Sequence, residues 1–141
     1  MKRFGCLSAP IFWLASAGSG LAGEPAGTLP EGMFATGEGC AALAKALPED
    51  IAVMDFMVMS NTELMGQEFE CSFRDATVAG AAEAGKLWSV KAECGSGGMA
   101  KSSMILIKQV AADQLHVTMT LAGGEPDVLG TFSYCPNVLT D

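Results

Sequence analysis

Glu68 and Glu70 stand two residues apart in a run that alternates apolar and polar side chains. On a strand such a pair shares one face, about 6–7 Å apart. Two carboxylates held roughly 5–10 Å apart are the acid and base of glycoside hydrolysis. Their neighbourhood argues against that chemistry. Ser72 continues the same polar face, and no cluster of aromatic residues stands ready to stack a sugar. A solvated strand face accounts for them better, and for Glu49, Asp50 and Glu63 as well. His116 is the one histidine of the chain, on the polar side of Leu115-Val117-Met119. No Ser or Cys in a nucleophile elbow joins it, so a catalytic triad has little to stand on. No catalytic residue is assigned, and the sequence reads as a non-enzymatic protein.

Gly95-Ser-Gly-Gly-Met-Ala-Lys101-Ser102 approaches the phosphate-binding pattern G-x-x-x-x-G-K-[ST]. Ala100 stands where the second Gly must let the backbone turn, and a strand-like run follows where a helix must open. A β-loop is the expectation. Nine methionines are present, eight of them after Met1. Thioethers bind Cu(I), and Met57-x-Met59 with His116-x-x-Met119 are spacings of soft-metal sites. Met54 and Met104, however, fall at expected core positions, where Met fills gaps. Copper is therefore kept as a minor alternative, and no cofactor and no metal ligand is assigned.

The cysteines carry the firmest chemistry. Of five, Cys6 precedes an apolar run that follows Lys2-Arg3 and ends in Gly18-Ser19-Gly20-Leu21-Ala22. That order is a secretory signal peptide over residues 1–22. Gly20 and Ala22 suit the small pockets of a signal peptidase, so the cut is expected after Ala22, with Ala15-Ser16-Ala17 as the alternative. Cys6 leaves with the signal. Cys40, Cys71, Cys94 and Cys135 remain, an even count that reads as two disulfides in an exported chain. None forms C-x-x-C, which argues against a redox site, and the wide spacing argues against structural zinc. The expected location is the periplasm, with secretion beyond it open.

The full chain has a net charge of −8. Without Lys2 and Arg3, six cations face 16 carboxylates, a net of about −10. Such a surface repels nucleic acid and suits solubility or a basic protein partner. The apolar run of the signal is shorter than the roughly 20 residues a membrane span needs, and no later segment approaches that length. The oligomeric state is left open.

Around these residues the chain reads as one domain. Residues 23–30 hold two Gly and two Pro without periodicity, a flexible N-terminal arm. Residues 31–141 form a single β-rich domain. Ala41–Leu47 is an expected short helix, with Leu43 and Leu47 on one face and Pro48 ending it. From Ile51 the period becomes two, with Met54, Phe56 and Val58 on one face and Val53, Asp55, Met57 and Met59 on the other. Ser60-Asn61-Thr62 is turn-like. Phe69-Cys71-Phe73, Trp88-Val90-Ala92-Cys94, Met104–Val110, Leu115-Val117-Met119-Leu121 and Leu129–Cys135 follow as strands. In the last, Phe132 and Tyr134 share a face. Five or six strands after one short helix predict a small antiparallel barrel or a sandwich. Cys71 and Cys94 fall on inward faces of neighbouring strands, so their pairing is expected. Cys40–Cys135 then ties the start of the domain to its end, although four cysteines admit three connectivities. Trp88, Phe69, Phe73, Val117, Met119 and Phe132 are the expected core. In an open barrel, Trp88, Phe69 and Phe132 would instead line an apolar pocket.

Gly32-x-Phe34 ahead of Cys40, Phe69-x-Cys71, Val90-x-Ala92-x-Cys94-x-x-x-Gly98 and the terminal pair Tyr134-Cys135 together resemble small, mostly uncharacterised periplasmic proteins of Gram-negative bacteria with four cysteines. The resemblance spans most of residues 31–135 and carries over no activity and no catalytic residue. In size and expected fold the chain is also similar to the small-barrel periplasmic lysozyme inhibitors, at the level of fold only. The expected function is an exported binding or interaction domain, in the form of an inhibitor of a basic periplasmic or extracellular hydrolase. The alternative is a small-barrel carrier of an apolar ligand.

Overall fold

The computed structural model describes residues 28–45, 55–82, 85–136 and 138. Eight strands close into an antiparallel barrel in which each strand pairs with its neighbours in sequence. They are β1 (Phe34–Thr36), β2 (Val58–Met59), β3 (Glu63–Met65), β4 (Glu70–Ala82), β5 (Gly85–Ser96), β6 (Met99–Ala111), β7 (Gln114–Leu121) and β8 (Pro126–Tyr134). The barrel closes where Phe34–Thr36 of β1 pairs with Phe132–Tyr134 of β8. Among the described residues one helix, α1 (Gly39–Leu43), lies between β1 and β2. Of the two expected architectures the barrel is the one formed. Full closure also removes most of the sheet edges that a sandwich would expose.

The long strands follow the period of two. In β5, Trp88, Val90, Ala92 and Cys94 turn inward, and Leu115, Val117 and Met119 do so in β7. With Ile105, Ile107 and Phe132 they fill the interior. Phe69 and Phe73 are half-buried and pack against that core. Bulges re-phase the strands where a single register would clash with closure. Arg74 and Ala79 are the extra residues in β4, and Leu129 is the extra residue in β8.

Both expected disulfides are present. Cys71 and Cys94 are directly opposed across β4 and β5, with Cα atoms 3.9 Å apart. Cys40 of α1 meets Cys135 just past β8. Beside this bridge, Ala35, Leu43, Val58 and Cys135 form a second, smaller buried cluster. The Gly95–Gly98 loop is a two-residue hairpin turn. Gly97 and Gly98 have φ of 60° and 85°, the conformation of a type I′ turn that only glycine adopts freely.

Several local expectations shift. The helix starts two residues earlier and ends at Leu43, while Leu47 lies outside the described residues. Met104 is not a core residue: it is 37% exposed, and Ser103, Ile105 and Ile107 point inward instead. The strand expected from Ile51 is only the pair Val58–Met59, with residues 51–54 outside the described residues. Both its residues are buried, because Met59 faces the barrel and Val58 faces the small cluster under α1. Phe132 is fully buried, whereas Tyr134 lies at the barrel's end and is exposed. Its ring packs edge-on against Phe34, with centroids 5.4 Å apart. β8 begins at Pro126, earlier than Leu129, and β1 and β3 are additional strands.

Candidate functional site

In an up-and-down barrel, alternate turns emerge at the same end. The β3–β4, β5–β6 and β7–β8 turns therefore form one rim. Two of these turns are acidic. Glu68 lies in the β3–β4 turn and Glu70 opens β4. Glu125 lies in the β7–β8 turn, with Asp127 next on β8. All four are exposed. Among the described residues the one ion pair joins Arg74 and Glu93, so none of the four rim carboxylates is in an ion pair there. Turn chemistry explains why charge collects here, since these residues need no core contact and tolerate irregular backbone.

Arg74 reaches Glu93 because the β4 bulge turns it outward, over the face where Glu93 follows Lys91 on β5. Hydrogen bonding to Glu93 and its charge raise the pKa of the guanidinium above its ordinary value. The pair is well exposed, so it orients Arg74 more than it stabilises the fold.

The residues singled out for chemistry fall as follows. Glu68 and Glu70 both reach the acidic rim, but Glu68 belongs to the turn and not to a shared strand face. His116 is on the outer side of β7, between Lys108 of β6 and Thr131 of β8. Met119 points inward, so the two members of His116-x-x-Met119 lie on opposite faces of one strand. Met59 and Met119 are buried in the main core, and Met57 packs against it. The Met119 Sδ lies 3.9 Å and 3.7 Å from the sulfurs of Cys71 and Cys94, packing against the disulfide. No group of three or more His, Cys, Asp or Glu able to hold a metal occurs among the described residues. Lys101 and Ser102 lie on β6 beyond the hairpin turn, in a strand where a phosphate-binding loop needs a helix.

Trp88 and Phe132 sit together in the core, with Phe69 at its edge against Gly66. A cavity of about 410 Å³ reaches Trp88 from the other end of the barrel, between Leu29 and Gln109. The acidic rim is not legible in the sequence because its members are far apart in the chain. Turn residues around Gly66 and Gly123-Gly124 were the available signal.

The fold thus defines a closed eight-stranded antiparallel barrel with a filled interior and an acidic end. No protein-family model matches the chain, and no curated protein and no solved structure matches it. The resemblance to periplasmic four-cysteine proteins rests on the quoted residues alone. No helix among the described residues is long and apolar enough to cross a membrane.

Proposed function

We propose that this is an exported, non-enzymatic binding domain that docks a basic protein through its acidic rim, in the manner of an inhibitor of a basic periplasmic or extracellular hydrolase. The observation that carries the reading is that Glu68, Glu70, Glu125 and Asp127, exposed and in no ion pair among the described residues, lie at the same end of the barrel. Two disulfides hold the barrel that presents them, so little ordering cost falls on binding. Charge complementarity of this kind steers encounter and weakens with salt. The N-terminal signal that sends the chain to the periplasm lies outside the described residues, and the two disulfides support an oxidising compartment.

The test is a panel of purified basic hydrolases titrated with the chain at low and at physiological ionic strength. At least one is expected to be bound and inhibited at low salt, with affinity falling as salt rises. The variant Glu68→Gln/Glu70→Gln/Glu125→Gln/Asp127→Asn is expected to lose that binding while melting as the wild type does. Unchanged inhibition by the variant overturns the rim, and binding to none of the panel overturns the reading. The alternative reading, carriage of a small apolar ligand, has in the cavity beside Trp88 only Leu29, Pro30 and Trp88 as apolar wall, against Thr28, Glu31, Lys86 and Gln109. That reading expects a fatty acid to shift the melting temperature by mass action.

A further inference from the structure

We propose that the groove occupied by residues Thr28–Glu31 is a peptide-binding site that the chain fills with its own N-terminal segment. In place of that segment it accepts an extended peptide of the pattern apolar-x-acidic from a partner protein. The site lies away from the acidic rim, and the proposal stands independently of that rim's function.

The first observation is how the segment is held. Leu29 is only 7% exposed and packs into the main core, while Thr28 and Glu31 on either side are exposed. Among the described residues, 28–32 make no backbone hydrogen bond. The segment is thus anchored by one apolar side chain and not by a strand ladder, which is how a short peptide ligand is held.

The second observation is the sheet edge beside it. From Arg74 to Ala82, β4 pairs with β5 alone among the described strands. Its other edge has no strand partner among the described residues, and such an edge is the template for strand addition by an extended peptide. On that stretch Arg74 and Asp75 carry charges of opposite sign, and Ala76 to Ala82 carry none.

The third observation is the space and charge around the segment. One cavity of about 650 Å³ has Thr28, Leu29 and Glu31 on one wall and Phe73, Arg74 and Ala76 of β4 on the other. The second, of about 410 Å³, sets the same three residues against Lys86, Trp88 and Gln109. Lys91 also lines the first. Apart from Glu31 the two cavities are lined by one carboxylate, Asp75, and three cations, of which Arg74 already pairs with Glu93 while Lys86 and Lys91 are in no ion pair among the described residues. An apolar anchor against Trp88 followed two residues later by an acid matches the groove as Leu29 and Glu31 do.

The probe is a labelled synthetic peptide with the sequence of residues 26–32, Ala-Gly-Thr-Leu-Pro-Glu-Gly, titrated by fluorescence anisotropy into the full chain and its Leu29→Ser variant. The variant is expected to bind the peptide saturably and at least about tenfold more tightly than the wild type, because its own segment no longer competes at high effective concentration. A peptide with Lys in place of Glu is expected to bind the variant about tenfold more weakly. Equal binding by the two chains, no saturable binding by the folded variant, or indifference to the Glu-to-Lys change would each overturn the proposal. Where Leu29→Ser does not fold, Leu29→Ala gives the same comparison. If neither folds, Leu29 is a fixed core residue and the proposal falls.

Discussion

On β6, five consecutive side chains decide how the barrel is filled. Ser103, Ile105 and Ile107 point inward, and Met104 and Leu106 point out. The interior is packed at organic-crystal density, so deleting a buried branched side chain leaves a hole that its neighbours only partly close. Ile105→Ala is expected to cost about 2–5 kcal/mol in chemical denaturation. Leu106→Ala, one residue along on the outer face, is expected to stay within about 0.5 kcal/mol. Equal losses would mean the strand's phase is wrong. Trp88, at the barrel's other end, is the largest of the inward residues, and Trp88→Ala is expected to cost about 3–5 kcal/mol. The inward phase of Trp88, Val117 and Phe132 was legible because polar neighbours such as Ser89, Thr118 and Thr131 fix which face is wet. The phase of Met104 was not: Met104 to Ile107 is apolar at every position, and period-two reading has nothing there to mark the outside.

At the scale of elements, length decides what the sequence can show. β5 and β7 are 12 and 8 residues long, enough for alternation to repeat. β1, β2 and β3 have three, two and three residues, too few to establish a period, yet they are the strands that close the barrel. The far half of β4 shows no readable period for another reason. Ala76–Ala82 is mostly Ala and Gly, and the bulge at Ala79 breaks what alternation there is. From the sequence the β5–β6 hairpin is readable only as a β-loop at Gly95–Gly98. Its two glycines instead set a tight turn whose twist matches the strands. Gly98→Val is expected to destabilise the protein by about 1–2 kcal/mol, the cost of left-handed backbone for a residue with a Cβ. The same substitution at Gly95, which has no positive φ and only ordinary contacts, is expected to cost less when both are followed by thermal melting.

For the whole molecule the two disulfides do different work. Cys71–Cys94 joins residues 23 apart on strands that already pair along their full length. Cys40–Cys135 joins residues 95 apart and pins α1 and the short β1 to the end of β8, where the barrel closes. In the chain-entropy account, the longer loop removes more freedom from the unfolded chain, about 4.7 kcal/mol against about 3.4 kcal/mol for the shorter. The folded side points the same way. Without Cys40–Cys135, closure rests on three register positions between β1 and β8 and on the small cluster of Ala35, Leu43 and Val58. Without Cys71–Cys94, the β4–β5 ladder and the surrounding core remain. Cys40→Ala/Cys135→Ala is therefore expected to be the less stable double variant, by about 1 kcal/mol in urea midpoints converted to free energy. It is also expected to show early loss of hydrogen-exchange protection in β1. The reverse order of stability would place the weak point of the barrel in the β4–β5 hairpin, and would make the seam between β1 and β8 self-sufficient without its covalent tie.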